Sequence, residues 1–527
     1  MKAMKPAAIL FLLLFLTLFG CGGDDDDDDS GSAAGDDDDA VDDDDSVADD
    51  DATDDDDQID DDDIADDDEI ADDDDVVDDD DAIDDDDVVD DDDIVTDPYQ
   101  GMSPSGNTLG DMIGISSHMS KSTSYVWKRE FEIAKQVEAG VRLSRTDFHW
   151  HVIEPSDDAW DFAGYDTMVD LLLDDGIESE AMMAYSVDWA APGGVDDLID
   201  PAVYADFCGH VADHFSDRIR YYEVWNEPNT ERFWQPQPNP DTYGALLKAC
   251  YQAVHAADPT AEVLFGGLSP FDMYIFGPDG VWNFIARVAE AHPDICDYFD
   301  VMAIHPYAFI QTSSPEYVFD VGFFAYPNLV QSIDHARELL TAAGCGDKPI
   351  QFTEMGWTSL TTGDDKQAAF LARGFLLSAM KGIDRYYWYT FWDGSGAASL
   401  PTEDYFGLYE YPTDQNPAPK PSFAALVGIH LLLDDYQYAG DLGTALNWPE
   451  NQTALVFENG DGDRFVGAWH SDGNIDKTYD VEIPLPDGFS GDWTLYDQDG
   501  AEVDSGTGAT SVSVELTGRV LYLLMEK

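Results

Sequence analysis

From about residue 105 onward, short apolar runs alternate with longer stretches in which apolar positions recur every three or four residues. "LGDMIGISSH" (109–118) is followed by "YVWKREFEIAKQVEA", "GVRLSRTDFHW" by "YDTMVDLLLDD", and "IESEAMMAYS" by "PAVYADFCGHVADHF". "IRYYEVWNEPN", "AEVLFGG", "FDVMAIHPY", "PIQFTEMGW" and "RYYWYTFWD" continue the series, each with a helical stretch behind it. Strand-length apolar runs separated by amphipathic helices imply a parallel sheet covered by helices. Eight such pairs predict an α/β protein built on a (β/α)8 TIM barrel, spanning 101–435. A doubly wound sheet is the alternative, but no Gly-rich phosphate loop follows the first strand. Past residue 436 the period changes to two. "TALVFEN", "DRFVGAWH", "KTYDVEIPL", "DWTLYDQ", "TSVSVELT" and "RVLYLLME" are separated by Gly, Asp and Asn turns, which predicts an all-β sandwich over 436–527. It carries no aromatic stripe of the kind a carbohydrate-binding module presents, so it reads as a domain packed against the barrel.

The N-terminal part has no such periodicity. Asp36 to Val95 reads as hexads such as "DDDDAV", "DDDDSV" and "DDDDVV". A chain this charged, with so little to bury, cannot offset its ordering entropy, so 22–100 is expected to be a disordered, self-repelling acidic stalk. The hexads lack the Gly turn that holds calcium ligands in place, so no specific cation site is expected there. The formal charge of the whole chain is −89. With 45 Asp and one Glu in 22–100, residues 101–527 still hold 67 acidic against 22 basic residues. Such a surface repels nucleic acid and anionic lipid, which argues against both as partners.

"MKAMKP" followed by "AAILFLLLFLTLF" is a targeting segment, shorter than the roughly 20 residues a membrane-spanning helix needs. "LFGC" resembles the lipobox of bacterial lipoproteins. That resemblance implies a signal peptide over 1–21, a lipid anchor on Cys21, and a place at the bacterial outer membrane or cell surface; a periplasmic or secreted protein is the alternative.

The active site of such a barrel lies at the C-terminal ends of its strands. Those ends carry Asn226 and Glu227 on the fourth strand and Glu354 on the seventh. Arg145 lies on the second, with Arg142 nearby as the competing choice. His305 and Tyr307 lie on the sixth, and Trp388 and Trp392 on the eighth. Two carboxylates, a cation and aromatic faces are the equipment of glycoside hydrolysis. "VWNEPN", "FTEMGW", "VRLSRTDFHW", "HPY" and "YYWYTFWD" together resemble the clan A glycoside hydrolases, closest to family 39 β-xylosidases and some family 5 relatives. The resemblance covers about 105–425 and implies a retaining mechanism on β-linked poly- or oligosaccharides.

By position the resemblance makes Glu227 the general acid/base and Glu354 the nucleophile. Arg145 and Tyr307 would then support an ionised Glu354, and Asn226 would bind the sugar 2-hydroxyl. His118, His305, Trp388 and Trp392 are further substrate-site candidates. Glu154 reads as loop-bound, and Glu223 as a polar core residue below the site. Within the barrel, Cys208 and Cys250 fall on neighbouring helices, while Cys296 and Cys345 precede the sixth and seventh strands. Cys208–Cys250 and Cys296–Cys345 are therefore the expected disulfides, and their spacing matches no metal template. No metal or organic cofactor and no specific protein partner is expected. A non-catalytic carbohydrate-binding lipoprotein, or a transglycosylase using the same residues, is the alternative; the sugar, and exo against endo action, stay open.

Overall fold

The computed structural model describes residues 97–119, 126–191, 200–270, 283–308, 312–320, 325–396, 402–413 and 415–527. The signal segment, Cys21 and the Asp-rich hexads lie outside them. Among the described residues no helix is long and apolar enough to cross a membrane.

Eight parallel strands close into a barrel: β1 (Ile113–Ser116), β2 (Leu143–His149), β3 (Glu178–Ala184), β4 (Ile219–Val224), β5 (Glu262–Leu268), β6 (Val301–Ile304), β7 (Ile350–Met355) and β8 (Arg385–Tyr389). Each neighbours the next in sequence, and β8 pairs with β1. The helices behind them are α1 (Val126–Glu138), α2 (Ala163–Asp174), α3 (Pro201–Phe215), α4 (Pro240–Ala257), α5 (Asn283–Ala291), α6 (Leu329–Ala343), α7 (Asp364–Met380) and α8 (Pro421–Leu433). Helix starts are written locally. Asp200 and Asn239 cap α3 and α4, each followed by Pro at the first helical position, where a missing N–H does no harm. Asn328 and Gln331 form a reciprocal capping box on α6.

Side chains alternate across each strand, so every second residue faces the barrel interior. Leu143, Tyr221, Leu264, Val301, Ala303 and Tyr387 form a separate buried cluster there. Two residues further along their strands, Arg145, Glu223 and Tyr389 point the same way, and the interior turns from apolar to charged toward the strand ends.

The C-terminal domain is a six-stranded antiparallel sheet faced by a two-stranded ribbon. Its strands are β9 (Gln437–Asp441), β10 (Gln452–Glu458), β11 (Arg464–His470), β12 (Tyr479–Pro484), β13 (Asp492–Tyr496), β14 (Glu502–Thr507), β15 (Ser511–Leu516) and β16 (Leu521–Met525). The sheet order is β9-β10-β11-β16-β13-β14, and β12 pairs with β15. Alternate residues from both layers, such as Val456, Val466 and Leu523 against Ile483, Val512 and Val514, make its core.

Two boundaries differ from the sequence reading. Leu109–Met112, read as strand, is a helical turn capped by Thr108, and β1 begins only at Ile113. Residues 97–105, divided between stalk and barrel by composition, lie instead along the sandwich. Tyr99 is 2% exposed and donates its hydroxyl to Pro484 O at 2.8 Å, and the Arg464 guanidinium lies over its ring. The backbone N–H groups of Ser103 and Ser105 donate to Ala439 O and Tyr438 O. One aromatic anchor outweighs the acidic composition before it, which a compositional boundary cannot register.

Cys208 of α3 is joined to Cys250 of α4, and Cys296 to Cys345, with Cα–Cα separations of 5.6 and 5.3 Å. The first pair links adjacent helices of the outer ring. The second links the segments that lead into β6 and β7.

Candidate active site

β4 ends at Val224, and the chain then reverses through two residues in left-handed backbone, Trp225 (φ 70°) and Glu227 (φ 42°). Neither is glycine, so each conformation costs about 1–3 kcal/mol and must be held from outside. Trp225 supplies the hold: its buried indole donates to Phe233 O at 2.6 Å and packs against Tyr185, Tyr204 and Trp234. The Glu227 N–H donates to Gly267 O at 3.0 Å, which places the carboxyl over the barrel mouth at 2% exposure.

Glu354, near the end of β7, is the second carboxylate. Arg145 Nη1 donates to its Oε1 at 2.9 Å and the Tyr307 hydroxyl to its Oε2 at 2.9 Å. Arg145 also donates from Nε to Glu223, from Nη1 to Ser116 Oγ and from Nη2 to Asn226 Oδ1. His305, fully buried, stands between the two carboxylates. Its Nδ1 is 2.9 Å from Glu227 Oε1 and 3.7 Å from Glu354 Oε2, and its Nε2 is 3.0 Å from Thr353 Oγ1. Gly267 makes room for the ring, since a Cβ there would lie 2.1 Å from His305 Nε2.

The two carboxyl groups are driven apart in acidity. Burial raises the pKa of Glu227; the His305 hydrogen bond and charge oppose this, and the negative charge of Glu354 adds to it, leaving the value above the ordinary range. Burial also pushes Glu354 up, but the charges of His305, Arg145 and His118 and the Tyr307 hydrogen bond outweigh it, and its pKa lies below the ordinary range. Burial would lower His305, yet the Glu354 charge and the bond to Glu227 raise it. Glu227 and His305 therefore hold their proton as a pair.

Of the remaining sequence candidates, His118 sits at the rim, with Nδ1 2.9 Å from Asp147 Oδ2 and Nε2 3.4 Å from Tyr389 Oη. Trp388 is not at the site. It is 1% exposed, donates to Phe406 O and packs against Trp357 outside the barrel, because it lies one residue off the inward register of β8. Tyr389, the next residue, faces in and touches the rings of His118, Tyr307 and Phe406. In a strand reading "RYYWY" every position after Arg385 is aromatic, so the sequence holds no signal for whether Trp388 or Tyr389 faces inward. Trp392, partly exposed, directs its indole N–H to Glu132 of α1 at 2.8 Å and packs against Phe131 and Tyr409.

Glu223 is wholly buried beneath the pair, accepting from Arg145 and from Gly267 N at 2.7 Å. Glu154 is tied to Trp150 Nε1 and Asp158 N. Arg142 is at the surface, paired with Asp434. Glu180, which the sequence does not single out, is a further buried carboxyl. It accepts from Tyr387, lies 3.9 Å from Arg145 Nε, and is pushed up to about 8 by burial and by the Glu223 charge.

One ligand atom from each of Glu227, His305 and Glu354 lies within 4.8 Å of the others, close enough to hold a metal ion. The donor set does not suit one. His305 Nδ1 is already engaged with Glu227, and the Arg145 guanidinium on Glu354 would repel a dication. The trio is better described as a proton-holding network around two carboxylates.

A family model described as β-galactosidase (glycoside hydrolase 42) matches residues 120–186, a stretch that runs through α1, β2, α2 and β3 and includes Arg145. No curated protein matches the chain. Among solved structures, the chain is similar to a family 39 glycoside hydrolase from Bacteroides cellulosilyticus WH2, with a TM-score of 0.63 and 24% identity over 79% of this chain and 82% of that one. It is similar to a monomeric β-xylosidase from Caulobacter crescentus CB15, with a TM-score of 0.58 and 17% identity over 81% and 97%. A family 30 endoxylanase from Clostridium papyrosolvens C71 matches with a TM-score of 0.55 and 12% identity over 81% and 98%. In fold, the chain is a barrel-and-sandwich protein of the kind these clan A enzymes share.

Proposed function

We propose that this protein is a retaining glycoside hydrolase that cleaves β-linked poly- or oligosaccharides by double displacement. The observation that carries the reading is the carboxylate pair: an oxygen of Glu227 and one of Glu354 lie within 4.8 Å. Retaining enzymes hold these groups about 5–5.5 Å apart, whereas inverting enzymes leave about 6.5–9.5 Å for a water.

With the anomeric carbon above Glu354, the ionised carboxylate attacks it while the Glu227–His305 pair delivers a proton from Glu227 to the glycosidic oxygen. The C–O bond breaks, the leaving group departs as an alcohol, and the sugar is left as an ester on Glu354. The negative charge that helped to raise Glu227 is then gone, so Glu227 can take a proton from water as the water attacks the ester. Free sugar leaves and Glu354 is ionised again. Arg145 fixes Glu354 and, by binding Asn226 Oδ1, turns the Asn226 amide N–H toward the 2-hydroxyl. That contact strengthens in the oxocarbenium-like transition state.

The test is a panel of aryl β-glycosides and plant polysaccharides, with β-xylosides first because two of the similar structures are a β-xylosidase and an endoxylanase. Glu354→Ala should lower turnover by about four orders of magnitude or more. Azide should partly restore Glu227→Ala on an aryl substrate with a good leaving group, giving a glycosyl azide of retained configuration. If both variants keep wild-type rates, the assignment fails.

The chain is further read as a lipoprotein held at the bacterial outer membrane through Cys21, with the Asp-rich segment as its stalk. What supports this is the "LFGC" signal and the run of like charge after it. Cys21→Ser should abolish labelling by an alkyne fatty acid and move the protein to the soluble fraction; unchanged labelling would sink the anchor.

A further inference from the structure

Glu316 lies on the loop between β6 and α6, on the face of the barrel that carries the site. Its carboxylate receives Arg373 of α7 on both oxygens, with Nε 2.9 Å from Oε1 and Nη2 on Oε2. Oε1 also accepts the indole N–H of Trp469 from β11 at 2.8 Å. The buried Arg373 reaches on to Gly518 O, in the turn between β15 and β16, at 3.2 Å. A barrel loop, a barrel helix and two parts of the sandwich thus converge on one carboxylate.

From that junction the contacts lead to Glu354. Asn328 Nδ2 donates to Glu316 O at 3.1 Å and Leu329 N to Pro315 O at 2.9 Å, which closes the loop onto the start of α6. Within this closure the Tyr326 hydroxyl donates to Tyr307 O at 2.9 Å. The Tyr307 hydroxyl in turn donates to Glu354 Oε2 at 2.9 Å. On the other side Trp357, three residues past Glu354, donates its indole N–H to Ser313 O at 3.0 Å, three residues before Glu316. Loops on a barrel face take their order from what holds them, and a bond to a buried ionised acceptor is about twice as strong as a neutral one.

We propose that the C-terminal sandwich is a positioning element of the active site. Trp469 acts through Glu316 and the loop segments 312–319 and 325–328 to hold Tyr307 on the nucleophile. The proposal rests on the reading of Glu354 as that nucleophile. It gives the sandwich a task in the reaction that needs no sugar-binding surface of its own.

The test uses the full chain and four variants: Trp469→Phe, which keeps an aromatic ring but removes the indole N–H; Tyr326→Phe; Tyr307→Phe; and the double variant Trp469→Phe/Tyr307→Phe. The measurements are kcat, KM, the pH dependence of kcat/KM, and Tm. Glu354 must be ionised to attack, and the Tyr307 bond lowers its pKa, so a loosened Tyr307 moves the acid limb to higher pH. Trp469→Phe and Tyr326→Phe should each lower kcat by about threefold to tenfold with KM nearly unchanged, and shift the acid limb upward. Tyr326→Phe, which leaves the Trp469–Glu316 bond in place, should do so at close to the wild-type Tm. The double variant should shift the limb no further than Tyr307→Phe alone, since both changes break one chain of contacts.

A Trp469→Phe variant with lower Tm but unaltered kcat and acid limb would make the junction purely structural and overturn the proposal. Fully additive shifts in the double variant would overturn it as well. Glu354→Ala assayed alongside separates this failure from failure of the nucleophile assignment, because only the latter leaves Glu354→Ala active.

Discussion

Two residues outside the carboxylate pair, Gly267 and His305, decide how its members behave. Gly267 donates to Glu223, accepts from Glu227 N and yields its Cβ space to His305. Gly267→Ala should fold, yet force the imidazole away from Glu227 and lower kcat by about 10-fold to 100-fold, read by steady-state kinetics beside a circular dichroism spectrum. His305 itself gives a test with a worked sign. Its charge lowers Glu354, and its hydrogen bond and charge lower Glu227. His305→Gln should therefore move both limbs of the kcat/KM profile to higher pH: the acid limb because Glu354 must ionise, the alkaline limb because Glu227 must keep its proton. Limbs that stay put, or move apart, would remove His305 from the pair.

At the scale of the element, β8 shows how one residue of register exchanges function for packing. Tyr389 faces the site and Trp388 the helices, although both are large aromatic side chains. Tyr389→Ala should lower kcat/KM by at least about 10-fold, through loss of the ring that packs on Tyr307 and His118 beside Glu354. Trp388→Phe should lower Tm and leave kcat/KM close to wild type; the reverse pattern would invert the register. The same alternation made Arg145 and Glu223 legible in advance, since polar residues stand out within apolar strands. It could not separate Trp388 from Tyr389, which end a run of four aromatic residues. Trp392 is oriented by contacts that no local pattern records. It lies beyond the strand, where the partner that orients it is Glu132, a residue 260 positions away.

Across the whole molecule, buried carboxyls set an unusual balance of stability against pH. Glu180 is raised from the ordinary 4.5 to about 8. A raised pKa contributes stability that is complete below the unfolded value and is lost as pH climbs to the folded one, because the unfolded chain releases its proton first. Wild type should therefore lose Tm relative to Glu180→Gln as pH rises from about 4.5 to 8, and the gap should stop growing above that. Glu316 runs the opposite way. Its pKa is lowered by Arg373 against the burial that raises it, so its contribution is present above the ordinary glutamate value and fades as pH falls through the folded one. The disulfides close segments with sequence separations of 42 and 49. In the chain-entropy account each is worth about 4 kcal/mol, so a Cys208→Ser/Cys250→Ser chain should unfold at markedly lower denaturant with its kcat/KM pH profile intact.

What the sequence determined by itself was whatever is written in local alternation. Eight strand–helix pairs, a change of period at 436, and Glu227 and Glu354 at the ends of their strands all follow from spacing and turn chemistry that short segments carry alone. Tertiary structure decided which groups share a proton, which ring faces the carboxylate pair, that Tyr99 packs on the sandwich, and that the sandwich is bonded to the loop carrying Glu316. These depend on contacts between residues distant in the chain, such as Trp469 with Glu316 and His305 with Glu227, and no local pattern records which distant partner a side chain will meet.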